Sequence, residues 1–205
     1  MIGIVDYGLG NLASVSNLLE HLGHDARLCA RPEEAKDCDR LVLPGVGSFR
    51  AGMEGLHRSG WTAALCALTA EGRPLLGICL GMQLLAGSGD EHGPSEGLGL
   101  IPGRVVRLTP CAPHKVPHVG WNSLERRQPH PLLEGIKPGV DFYFVHSYHF
   151  VPVDERDAIA TCDFGGPFVA AVARGNVAGV QFHPEKSQPA GLRLIENFVT
   201  WDGGC

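Results

Sequence analysis

The chain has no apolar run near the roughly 18 residues a membrane span needs. It opens "MIGIVDYGLGN", with an acid and glycines where a secretory leader carries a basic stretch and then a long apolar one. The expected location is therefore cytoplasmic. An excess of positive charge is missing as well: 17 Lys and Arg stand against 22 Asp and Glu, for a formal charge of -5. The one dense basic pair, Arg126 and Arg127, reads as solvated loop, so neither a nucleic acid nor a membrane is expected as a partner. Paired cysteines are absent too. Cys29, Cys38, Cys66, Cys79, Cys111, Cys162 and Cys205 are odd in number, scattered, and include no CxxC, which argues against a disulfide framework or a zinc knuckle and for reduced thiols. The nearest metal-like spacing is His114 and His118 in "HKVPH". Pro117 would break the helix needed to set both imidazoles on one face, so no metal is expected.

What is present is glycine, 28 residues, with 15 prolines and 44% hydrophobic residues over 205 positions. That composition fits a compact globular chain with many tight turns, long enough to bury roughly 70% of its unfolded surface. The first half alternates short apolar runs with helical patterns, the signature of a parallel sheet flanked by helices. "IGIVD", "ARLC", "RLVLPG" and "PLLGI" read as strands. Leu12, Val15, Leu19 and Leu22 mark a helix ended by Gly23, "PEEAKD" a short helix, and Gly60 to Gly72 another. Beyond residue 100, "RVVRL", "VGWNSL", "FYFVHSYHF", "AIATC", "FVAAVAR" and "VAGVQFH" read as antiparallel additions to the sheet, before a last helix at "AGLRLIENFVTW". Without repeats, linker tracts or charge blocks, residues 1–205 are expected to form a single α/β domain: a mostly parallel twisted sheet flanked by helices, with antiparallel additions in the C-terminal half.

Three stretches carry chemistry. In "LLGICLGMQLL", Gly77, Cys79 and Gly81 form G-x-C-x-G between a strand and a helix, the thiol counterpart of a nucleophile elbow. An isolated cysteine among apolar residues is usually a small buried hydrophobe; the flanking glycines, which permit a turn too sharp for larger side chains, set Cys79 apart. In "VQFHPEKS", His183 ends a strand pattern and precedes Pro184, and residues two apart on extended chain share a side, so Glu185 can orient the imidazole. Nucleophile, base and orienter would then be Cys79, His183 and Glu185, although among ten histidines His146 is the next candidate base. In "LVLPGVGSF", Gly45 and Gly47 allow the backbone to approach a substrate closely and present amides to an oxyanion. A competing signal is "DYGLGNLA", where Gly8, Gly10 and Ala13 have dinucleotide-site spacing and Arg31 after the second strand would suit only a phosphorylated cofactor, making an NADP-binding oxidoreductase the remote alternative.

Taken together, "GICLGMQ", "PGVGSF" and "QFHPEKS" resemble the class I, triad-type glutamine amidotransferases nearly end to end. Within that family, "DYGLGNLASV", "PHVGWN" and "FYFVHSYHF" resemble the branch whose glutaminase works beside a (β/α)8 barrel cyclase in histidine biosynthesis; the glutaminase of another synthase is the alternative. The resemblance implies that Cys79 attacks the glutamine amide, His183 serves the departing ammonia and then water, and Glu185 orients His183. It further implies an oxyanion hole from Val46, Gly47 and Leu80, and glutamine contacts from Gly45, Gln83, Glu91, Ser147 and Tyr148. A partner interface would include Asn11, His118, Trp121, Asn122 and Lys186, with Trp121 either a hot spot or a core residue. No cofactor is implied.

Overall fold

The computed structural model describes residues 1–204; Cys205, counted above among the reduced thiols, lies outside the described residues. In chain order the elements begin with β1 (Ile2–Val5), α1 (Leu12–His21), β2 (Ala26–Cys29), β3 (Arg40–Gly45), α2 (Phe49–Arg58), α3 (Trp61–Ala70), β4 (Leu75–Cys79) and α4 (Leu80–Leu84). There follow β5 (Ser88–Gly89), β6 (Ser95–Glu96), β7 (Gly103–Arg107), β8 (His118–Ser123), β9 (Glu125–Arg126), β10 (Asp141–His146), β11 (Tyr148–Pro152), β12 (Ala158–Asp163), β13 (Pro167–Arg174), β14 (Val177–Val180) and α5 (Gln188–Thr200). The expected "PEEAKD" helix is a single 3-10 turn, Pro32–Ala35.

The main sheet runs β2-β1-β3-β4-β14-β13-β11-β7-β5-β6, with β12 beside β13 and β9 beside β12. Its first five strands are parallel. The β1, β4 and β14 strands are buried along their whole length, as parallel strands covered on both faces must be, which is why they read as unbroken apolar runs. Successive residues face opposite layers. Ile4, Val42, Leu76 and Ile78 pack with Val15 and Leu19 of α1 and Leu194, Ile195 and Phe198 of α5. Val5, Leu41, Leu43 and Leu75 pack with Met53 and Leu56 of α2, Leu65 of α3 and Leu80 and Leu84 of α4. Helices therefore cover both faces of the parallel half.

Three departures from the sequence expectation have physical causes. First, β14 is not an antiparallel addition on both sides: it is antiparallel to β13 but parallel to β4, and so completes the parallel half. Second, β8 and β10 pair antiparallel with each other as a separate two-stranded sheet. "FYFVHSYHF" breaks at Ser147 into β10 and β11, which belong to different sheets. Third, α2 has no counterpart in the sequence reading. Gly52 and Gly55 obscure it, since glycine is a poor helix former; both are there for packing. A Cβ on Gly52 would sit 2.9 Å from Leu84, and one on Gly55 would sit 2.9 Å from the Tyr7 carbonyl oxygen.

Candidate active site

Three neighbouring parallel strands end at one place. Gly45 of β3 pairs with Cys79 of β4, and Val180 of β14 pairs with Ile78 of β4. The next residue, Gln181, thus comes level with Cys79, and His183 follows two positions on. The carboxyl ends of parallel strands are where open α/β sheets bind their ligands.

Cys79 occupies a backbone conformation few non-glycine residues adopt, φ 55° and ψ -109°, a strain kept where the surrounding packing fixes it. Both flanking glycines are required. A Cβ on Gly77 would lie 2.6 Å from the Gly81 carbonyl oxygen, and one on Gly81 only 1.8 Å from that of Leu43. Strand and helix are pressed together there, and the turn between them lifts Cys79 to the floor of a cavity of about 270 Å³. Cys79 as a residue is 7% exposed. The cavity is also lined by Val46, Gly47, Leu80, Gln83, Glu91, Ser147, Tyr148 and His183, which sequence reasoning brings together, and by Val145 and His146 as well. A larger cavity of about 600 Å³, bounded by Glu125, Arg127, His149 and Phe168 among others, contains no thiol; size alone does not mark the chemistry.

His183 is held by its own amide, which donates to the Tyr143 carbonyl at 2.9 Å. Its Nδ1–H donates to Glu185 Oε1 at 2.8 Å, leaving Nε2 buried without a partner among the described residues. The expected contact forms, but by a different route. Pro184 starts a 3-10 turn, Pro184–Lys186, so Glu185 reaches the ring by curling back rather than from an extended chain. Burial pushes the imidazole pKa down, but the Cys79 sulfur beside it and the Glu185 carboxylate more than offset it and raise the value to about 9. The group is thus poised to hold a proton beside the sulfur.

His146, the other candidate base, is placed differently. Its Nδ1–H donates to the Tyr148 carbonyl at 2.8 Å, and Nε2 faces His118 Nδ1 at 3.1 Å. With Nε2 the acceptor, His118 must donate. Burial, assisted by neighbouring histidines, holds His146 near 3 and His118 near 4, so both stay neutral. His118, expected at a partner interface, is 3% exposed in the isolated chain and stacks between Phe144 and Phe164. His114 packs on the same Phe164. Among the described residues no three His, Cys, Asp or Glu side chains cluster as a metal site.

The remaining expected residues separate by position. Gln83 is buried and donates to the Tyr148 carbonyl and to Gln181 Oε1, both at 3.0 Å. Glu91 lines the cavity while accepting from the Phe49 amide at 2.8 Å, which ties it to the start of α2. Gly45 does not line the cavity. It is buried in β3, where a Cβ would come within 2.5 Å of the Tyr7 hydroxyl and 2.9 Å of Leu80, so the glycine lets Tyr7 and Leu80 approach the strand. Gly47 has φ +109°, a conformation that favours glycine. Gly8 and Gly10 have positive φ, yet neither they nor Ala13 line the cavities described here. Arg31 is engaged by Glu34 at 2.9 and 3.0 Å. Sequence reasoning misses Gln181, although its spacing of two from His183 on a strand pattern could have found it.

The family model described as glutamine amidotransferase class-I matches residues 3–201. The chain is 50% identical over 201 residues to the imidazole glycerol phosphate synthase subunit HisH of Desulfitobacterium hafniense (strain DSM 10664 / DCB-2), spanning 98% of this chain and 94% of that protein. Identity to the same-named subunit of Syntrophotalea carbinolica is 47% over 203 residues, or 97% of this chain and 98% of that one. A crystal structure of a glutamine amidotransferase superposes with TM-score 0.77 at 22% identity, covering 98% of each chain. The PurLQS structure from Thermotoga maritima gives 0.76 at 18% identity, covering 97% of this chain and 96% of that one. These two likenesses bear on fold alone.

Proposed function

The chain belongs to the class I glutamine amidotransferase family, and from that membership we infer that it is the glutaminase subunit of an imidazole glycerol phosphate synthase, like its relatives of that name. The whole of 1–205 acts as one glutamine amidotransferase domain, located in the cytoplasm. Glutamine enters the cavity with its side-chain amide over Cys79. The thiolate attacks the amide carbon, and the oxyanion that forms is met by backbone amides of Leu80 and of the Val46–Gly47 segment. One such donor is worth roughly a hundred- to a thousandfold in rate. His183, oriented by Glu185, protonates the departing ammonia and then activates water to release glutamate. The observation that supports this most is the strained Cys79 beside an imidazole whose second nitrogen is tied to a buried carboxylate.

The ammonia needs an acceptor, and the partner we assign is a (β/α)8 barrel cyclase that uses it to make imidazole glycerol phosphate and aminoimidazole carboxamide ribotide. The β8–β10 sheet suits the docking face. Register sets Val119 opposite Val145 and Trp121 opposite Tyr143, while Val119 is 56% and Trp121 48% exposed. Lys186 caps the patch, its Nζ 5.3 Å from the Tyr143 ring centre. This favours the hot-spot reading of Trp121 over the core one. Asn122 donates to the Asp163 carbonyl at 2.7 Å and helps fix the strand, and Asn11 heads α1. The Val145 carbonyl is 4.0 Å from Cys79 Sγ, so docking on β10 would be felt at the nucleophile. Glutamate release, measured with and without the loaded cyclase, tests the reading: weak hydrolysis alone and strong stimulation in the complex support it, and no hydrolysis in either state overturns it.

A further inference from the structure

Gln181 is fully buried, at 0% exposure, and no step above uses it. Its amide donates to the Ala170 carbonyl at 2.9 Å, continuing the β14 pairing with β13 by one residue. A buried carboxamide costs folding free energy unless both its ends are met. One end meets the nucleophile: Nε2 lies 3.8 Å from Cys79 Sγ. The other accepts from Gln83 Nε2 at 3.0 Å.

The orientation of this carboxamide follows from its neighbours. The same Gln83 nitrogen also donates to the Tyr148 carbonyl at 3.0 Å. Both acceptors lie on one side-chain nitrogen, which has two hydrogens to give. Gln181 must then turn its oxygen to Gln83, which sends its own N–H groups toward the sulfur. Tyr148 is held from a second direction by His146 Nδ1–H. A continuous line of hydrogen bonds thus joins the nucleophile to the backbone of Tyr148, one of the expected glutamine contacts.

We propose that Gln181 is a further catalytic residue of this site, donating an N–H to Cys79 Sγ to stabilise the thiolate while its carbonyl holds Gln83, and through it Tyr148, in the substrate-binding position. This rests on Cys79 being the nucleophile. A sulfur anion accepts hydrogen bonds and donates none, so an N–H fixed beside it lowers the cost of ionisation, and hydrogen bonds to charged groups are the stronger class. A glutamine with only a packing role would influence stability and leave thiol ionisation alone.

The test uses the purified full chain and, for turnover, its complex with the cyclase. Gln181→Met keeps the length and removes both polar ends. Gln181→Glu keeps the shape but puts an oxygen where the donor was. Cys79 alkylation by iodoacetamide is followed against pH by peptide mass, beside kcat and KM for glutamine. The expected result is an alkylation midpoint about one pH unit or more higher in the variants, with kcat reduced roughly tenfold and KM raised, as the loss of one charge-assisted bond implies. An unmoved midpoint, with Cys79 still labelled, overturns the role of Gln181 and leaves the nucleophile standing. Failure of wild-type Cys79 to label overturns the nucleophile itself. Should neither variant fold, the ¹⁵N side-chain amide resonances of wild-type Gln181 decide: they shift as Cys79 titrates and again when it is alkylated, and resonances indifferent to both contradict the proposal.

Discussion

Among the six described thiols, Cys79 alone has both an elbow and a buried imidazole lining the same cavity. Burial pushes Cys29 and Cys162 up to about 12, which keeps them protonated and unreactive, while Cys111 is exposed and lies outside the cavity that holds Cys79. A glutamine-derived electrophile should therefore label Cys79 first, read by peptide mapping; preferential labelling of Cys66 or Cys111 would count against the assignment. His183→Ala should lower glutamine turnover by at least about a hundredfold, and Glu185→Gln by less, since an orienting acceptor remains without its charge. The pairing of His183 with Glu185 was legible from a spacing of two, although the turn at Pro184 that creates it was not. The neutral state of His146 and His118 was hidden from the sequence, because it depends on which aromatic rings the fold gathers around them. Both have folded values below the ordinary one near 6.5, so the unfolded chain binds protons that the folded chain refuses. Their contribution to stability is present above about pH 6.5 and is lost as pH falls toward 4, at up to about 1.4 kcal/mol per unit for each group. Urea unfolding at pH 6.5 and pH 5 should show that loss, with a shallower slope in a His146→Gln variant; an identical slope would remove His146 from the account.

Strand and helix order in the first half could be read directly because the buried parallel strands carry unbroken apolar runs and the helices a clear stripe. What could not be read was partnership. The alternation in β8 and β10 is that of any half-buried strand, and nothing in it says that the two pair apart from the main sheet. The α2 helix was obscured by glycines whose reason lies on other elements, Leu84 and Tyr7. Glycine at the elbow is testable in the same terms. Gly81→Ala places a methyl 1.8 Å from the Leu43 carbonyl oxygen and should destabilise at or beyond the upper end of the roughly 1–3 kcal/mol typical of overpacking. Gly72→Ala, where φ is +91° with open space around it, should cost only the roughly 1–2 kcal/mol of a left-handed backbone. Thermal melting of the two variants compares them, and equal losses would mean that strand and helix are not pressed together at Cys79. At the Val46 segment, Gly47 would let the peptide turn its amide toward or away from an oxyanion formed at Cys79, while Gly45 is pinned by Tyr7 and Leu80. A gate there would hinge at Gly47.

The cavity and the apolar β8–β10 face are adjacent, so a cyclase docked on that face would lie next to Cys79. Trp121→Ala should weaken cyclase binding by about 2 kcal/mol or more, as a central aromatic anchor does, while Cys79 labelling in the isolated chain stays unchanged; binding measured by titration that is unaffected would move the interface elsewhere. The most direct measurement compares wild-type and Cys79→Ala complexes for imidazole glycerol phosphate formation, with glutamine and then with ammonium salt as the nitrogen source. The account predicts that Cys79→Ala abolishes synthesis from glutamine and leaves synthesis from ammonium intact. Undiminished synthesis from glutamine in the Cys79→Ala complex would contradict it.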